Sequence, residues 1–114
     1  MEKIKPIILT DAKSGQTYTL EFSRESVKFA EMRKFNISEL TDYPQSNIPA
    51  LFFYAFRMHH SNIARNQTDK MLNDLGGLTA AELERLVQLY QQPCESLIRV
   101  DEGERKNARM TLEM

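Results

Sequence analysis

The longest apolar stretch in the chain is Ile48 to Ile63, IPALFFYAFRMHHSNI, and between Ile48 and Met58 only Pro49 and Arg57 are not apolar. A helix that is apolar nearly all round is normally buried at the centre of a domain. The run is shorter than the roughly 20 apolar residues that cross a bilayer, and Arg57, His59 and His60 close it. Asn47 is the expected N-cap, which puts Pro49 in the first turn, where a missing N–H costs nothing. Phe52, Phe53, Phe56 and Ile63 recur at three- and four-residue steps, with Leu51, Ala55 and Met58 on the adjacent stripe. The pattern predicts a central core helix.

Ahead of this run the period changes to two. Ile4 to Thr10 is rich in β-branched residues and reads as a strand, with Pro6 at a sheet edge or near the strand's start because proline cannot donate to a ladder. Asp11 to Gly15 has turn chemistry, and Gly15 can take a positive φ. From Gln16 to Phe22, Tyr18, Leu20 and Phe22 alternate with Thr17, Thr19 and Glu21. The two segments predict a β-hairpin. A lone hairpin is marginal in water, so its apolar face must pack on helices. Ser23 is a good N-cap for a helix from Arg24 to about Lys34, with Glu25, Arg33 and Lys34 placed to complement its dipole. Val27, Ala30 and Lys34 form one stripe and Phe29 with Met32 the next, which predicts a broad inward face. Asn36 caps a short turn, Ile37 to Leu40, and Thr41 to Ser46 reads as a loop.

Beyond Ile63 the chain turns polar. A break near Asn66 is expected, with Asn66 or Thr68 starting a new turn, and Lys70 to Leu75 runs into the helix stop Gly76-Gly77. Thr79 and Glu82 have capping-box spacing, opening a helix with Leu83, Leu86, Val87 and Tyr90 at core positions. Pro93 should kink or end it, with Cys94 to Arg99 adding a further turn or two. Asp101 to Asn107 is densely charged. Ala108 to Met114 alternates apolar and polar, a pattern that suits an edge strand on the hairpin, an arm that orders on a partner, or a frayed terminus. The fold class expected is α+β: an N-terminal β-hairpin against a small bundle of four to five helices. Residues 1–100 form the single domain and residues 101–114 the charged C-terminal tail.

Composition narrows the function classes. Fifteen basic residues stand against sixteen acidic ones, for a net charge of −1, whereas a dedicated nucleic-acid binder needs a positive face. Cys94 is the single cysteine, so no internal disulfide forms and a reducing cytoplasm fits. The N-terminus MEKIKPIILTD carries no apolar signal-peptide core. His59 and His60 are adjacent, so on a helix they point about 100° apart and cannot chelate one ion as an i, i+4 pair does. Cys94 would follow Pro93 near a helix N-terminus, which lowers a thiol pKa, but a nucleophile needs a positioned base and both histidines lie on another helix. Gly76-Gly77 lacks the rest of a phosphate loop. No enzyme site, cofactor or metal is expected. The aromatic cluster Phe52, Phe53, Tyr54 and Phe56 points in several directions at once. Either the hairpin and flanking helices wrap both sides of it, or one face meets another chain.

The order of runs over Ile7 to Met114 is distinctive: a hairpin, LEFSRESVKFAE, IPALFFYAFRMHH, NDLGGL, LERLVQLYQQP, then a charged tail ending in TLEM. It resembles a family of small proteins from prophage tail operons of Gram-positive hosts, catalogued as a domain of unknown function and regarded as tail assembly chaperones of long-tailed phages. The resemblance implies a non-enzymatic protein that binds the helical tape-measure protein in the host cytoplasm before the tail tube forms, without nucleic acid or membrane as partner. A long, partly apolar helical rod suits the helix-in-groove mode, and coating it favours self-association into a homo-oligomer. The six Phe, four Tyr and six Met fit an adaptable apolar surface. Phe52, Phe53, Tyr54, Phe56 and Met58 are then the candidate partner-binding residues. The alternative is a structural virion protein, such as a tail completion or connector subunit.

Overall fold

Strands β1, Ile7–Thr10, and β2, Thr17–Leu20, pair antiparallel with Ile7 opposite Leu20 and Thr10 opposite Thr17. The turn between them is closed by its own side chains: Asp11 accepts from Lys13 N–H at 2.9 Å and Ser14 Oγ from Gln16 N–H at 3.2 Å, while Gly15 takes φ +75°. These are the bonds that make Asp, Ser and Gly turn formers. The Lys13 amide is also the largest cause of the Asp11 carboxyl lying below its ordinary pKa. The structure is a computed structural model in which residues 4–95 are described; the charged tail and the segment for which an edge strand is one expectation lie outside them.

Helix α1, Arg24–Met32, starts where Ser23 and Ser26 cap each other: Ser26 N–H donates to Ser23 Oγ at 3.2 Å and Ser23 N–H to Ser26 Oγ at 2.8 Å. It ends two residues earlier than expected. Lys34 takes φ +66°, a left-handed turn that L-residues adopt at a cost of about 1–2 kcal/mol, and Phe35 N–H closes on Ala30 O at 3.1 Å. The turn delivers Phe35 into the core, where its ring meets Tyr54 and Tyr90, each at 5.5 Å. Asn36 caps the following 3-10 turn, Ile37–Glu39, as its sequence implies.

The central helix α2 spans Pro44–Phe56, starting about one turn and ending about two turns earlier than the run Ile48 to Ile63 suggests. Pro44, not Asn47, opens it, because proline at N1 has its φ preset and needs no donor. Asn47 instead donates its side-chain amide to Glu39 O at 3.0 Å, tying α2 to the 3-10 turn. Pro49 therefore falls inside the helix, where it has no N–H to give. At the far end His60 N–H closes on Phe56 O at 2.7 Å and the chain leaves the helix. His60 Nε2 accepts from Thr19 N–H at 3.0 Å, His59 Nε2 meets Glu21 Oε1 at 2.9 Å, and Glu21 N–H donates to Ala55 O at 3.0 Å. The outer edge of β2 is thus covered by α2 and the segment after it.

Helix α3, Arg65–Leu75, begins near the expected break, with Gln67 Oε1 taking Ala64 N–H at 2.8 Å. Gly76 stops it at φ +77°, and Gly77 N–H reaches back to Leu72 O at 3.0 Å. Helix α4, Ala80–Glu95, opens on the anticipated box, Thr79 N–H to Glu82 Oε1 at 2.8 Å and Glu82 N–H to Thr79 Oγ1 at 3.1 Å. Pro93 does not end this helix; it lies inside its last turn. Among the described residues the architecture is the expected α+β one, a two-stranded hairpin and four helices. α2 is its centre, packing on α1, α3, α4, β2 and the 3-10 turn. Leu51, Phe52, Ala55 and Phe56 on α2 meet Leu20, Val27, Ala30, Leu86 and Leu89 in the core. Each buried Leu or Phe contributes roughly 1.5–3 kcal/mol.

Candidate functional site

The aromatic cluster of α2 divides between two environments. Phe52, Tyr54 and Phe56 are buried, at 1%, 7% and 0% exposure, and pack edge-to-face with other rings: Phe52 with Phe56 at 5.2 Å, Tyr18 with Phe56 at 5.6 Å. Hairpin and helices wrap them, so these three serve the core of this chain. Phe53 is half-buried and Met58 exposed, and only these two of the five candidates are open to a partner here.

Met58 opens onto a groove of about 370 Å³ between α1 and the end of α2, lined by Ser23, Glu25, Ser26, Lys28, Phe29, Met32, Arg57 and Met58. The capping box of α1 supplies its two serines, and the helix period supplies the rest of that wall. Phe29 and Met32, expected on the inward face of α1, instead stand at its rim: Phe29 is half-buried and Met32 is 73% exposed. The reason lies on the two sides of the Phe29 ring. Arg33, one turn on along α1, brings its guanidinium carbon 3.5 Å from the ring centroid, and Arg57, at the C-cap of α2, brings its own to 3.9 Å. Two guanidinium carbons that close to one centroid would overlap on a single face, so the ring is sandwiched between them. Cations over an aromatic face are attracted by its quadrupole, worth about 0.5–1 kcal/mol each at exposed sites. The Phe29–Arg33 half was legible as an i, i+4 pair; nothing in the sequence pointed to Arg57.

A second cleft, of about 640 Å³, separates the hairpin turn from α3. Leu9, Tyr18, Met71 and Leu75 give it an apolar floor, and Asp11 and Asp74 are matched on the rim by Lys13 and Lys70. Elsewhere the candidate chemistry dissolves into structure. His59 and His60 diverge, one to Glu21 and the other to Thr19, and among the described residues no three His, Cys, Asp or Glu side chains are placed to hold a metal ion. Cys94 lies at the C-terminal end of α4, not at a helix N-terminus, and burial, with Glu31 and Glu95 nearby, pushes its thiol pKa up. That is the opposite of what an activated nucleophile needs. No helix among the described residues is long and apolar enough to cross a membrane.

A scan of family models matches the chain over residues 1–114 to the Domain of unknown function (DUF5055). No curated protein and no solved structure matches it. With the match covering the whole length, hairpin, helices and tail alike, the chain belongs to the DUF5055 family.

Proposed function

We propose that this chain is a non-enzymatic assembly chaperone that holds a segment of the helical tape-measure protein of a long-tailed phage until the tail tube forms around it. The observation that carries the reading is the groove beside α1, where Met32 and Met58 stand 73% and 43% exposed next to the half-buried ring of Phe29. Two exposed, flexible thioethers beside one groove suit a surface that accepts varied apolar side chains. A partly apolar groove along one helix matches the helix-in-groove mode by which an amphipathic rod is shielded. The resemblance of the chain's apolar runs to those of prophage tail-operon proteins supplies the partner.

Co-expression with the longest helical tail protein encoded nearby tests the reading. Wild-type chain should keep that protein soluble and co-purify with it, and Met32→Ser with Met58→Ser should lower the yield of complex severalfold. An insoluble partner with no co-purification would sink the proposal. Finished tails separate it from a structural role: a chaperone is missing from them, a connector or completion subunit is present.

A further inference from the structure

We propose that the Phe29–Arg33–Arg57 sandwich and the methionines beside it form a docking surface for an acidic amphipathic helix. Carboxylates of that helix meet the free edges of the two guanidinium groups, and its apolar side chains seat on Met32 and Met58. The inference deepens the chaperone reading and rests on it for the partner being a helix.

Charge complementarity carries the argument. Stacking on Phe29 uses the flat faces of both guanidinium groups and leaves their N–H edges outward. Each edge makes one side-chain hydrogen bond to a carbonyl, Arg33 to Phe29 O at 3.5 Å and Arg57 to Ser61 O at 3.3 Å. Neither has a carboxylate partner among the described residues; Arg65, by contrast, is paired with Asp69 at 3.0 Å. A guanidinium has five N–H donors in a fork that fits a carboxylate two at a time, so most of that capacity stays open here. The two like charges are separated only by the thickness of a ring, and a carboxylate against either edge relieves their repulsion. Lys28 joins Arg57 as a second cation in the groove lining, where Glu25 is the single acid.

The geometry also selects the partner. Phe29 with Met32 and Phe29 with Arg33 are spaced three and four residues apart on α1, a ridge that a second helix engages at its own period. Nucleic acid fits less well: single strands are held by bases stacked on open aromatic faces, and both faces of Phe29 are already covered. A partner helix with apolar residues at i and i+3 or i+4, flanked by Glu or Asp, meets both the two arginines and the two methionines of the surface.

Two labelled helical peptides of about 18 residues, sharing one Leu/Met stripe and flanked by Glu in one case and Lys in the other, should be titrated with the full chain by fluorescence anisotropy. The Glu peptide should bind at least tenfold more tightly, and added salt should erode that preference. The double variant Arg33→Glu, Arg57→Glu should lose at least tenfold in affinity with its helical circular dichroism intact. Should that variant misfold, Met32→Ser, at an exposed position, still tests the surface and should weaken the Glu peptide severalfold. Equal binding of the two peptides overturns the proposal, as does full affinity in a folded charge-reversed variant. Displacement of the Glu peptide by single-stranded oligothymidine overturns it too and reassigns the surface. The two proposals fail separately. If the tail protein stays soluble with the charge-reversed variant, the docking surface is wrong and the chaperone stands. If the Glu peptide binds through the arginines while the tail protein never co-purifies, the surface stands and the chaperone does not.

Discussion

Two aromatic clusters sit within one helix packing of each other and do opposite things. Phe52, Tyr54 and Phe56 face rings and aliphatic groups from α1, α4 and β2, and water is excluded from all three. Phe29, whose ring lies 6.0 Å from that of Tyr54, faces two guanidinium groups instead and stays at the rim. Residue type does not separate these cases. What covers the ring does: carbon on every side makes a core position, whereas long cationic side chains cover a ring while leaving their own polar edges in water. The first arrangement stores stability and the second presents a surface.

That contrast can be broken by substitution. Phe56→Ala should cost about 3–5 kcal/mol, because a fully buried ring leaves a cavity when removed; urea denaturation would measure it, and a loss near 1 kcal/mol would put Phe56 with the rim. The alkaline limb comes next. Burial, with Glu31 and Cys94 as lesser causes, pushes the Tyr90 phenol up to about 12 from 10.0. The folded state therefore favours the neutral phenol, so this stabilisation is complete below pH 10 and is lost as pH rises through about 12. The alkaline loss of stability should therefore be smaller in Tyr90→Phe than in wild type, measured by urea denaturation at rising pH. Lys34→Gly should stabilise the chain by about 0.5–1 kcal/mol, since glycine takes the left-handed turn without the side-chain clash; a lower melting temperature would mean the Lys34 side chain makes a contact worth more than the strain. Arg57→Gln should change stability by no more than about 1 kcal/mol, the range of one exposed cation–π contact. A loss as large as that of Phe56→Ala would show that the sandwich belongs to the core.

The sequence announced the fold more clearly than the surface. Hairpin, capping boxes, glycine stop and central helix all follow from local chemistry: Ser23 and Thr79 cap, Gly76 turns, and the α2 run is apolar all round. The misplacements trace to prolines and histidines, whose effect depends on position. Pro44 and Pro49 compete to be the first residue of α2, and only tertiary packing of Ala50 and Leu51 shows that the helix tolerates the second. Pro93 likewise stays inside α4, with Leu89 and Tyr90 buried just before it. His59 and His60 looked like a helical continuation because their partners, Glu21 and Thr19, lie some forty positions away. The groove was half legible. Phe29 and Arg33 share a helix face, but Arg57 arrives from another element, and sequence spacing carries no information about such a meeting.

The two adjacent histidines hold their protons in opposite places. A backbone N–H can only donate, so His60 Nε2 facing Thr19 must be bare and its ring proton sits on Nδ1. His59 Nε2 faces a carboxylate and so carries its proton there. One imidazole is the δ tautomer and its neighbour the ε tautomer, which nitrogen chemical shifts of the two rings would distinguish directly. The seam between β2 and the end of α2 is thus held by one imidazole that accepts and one that donates.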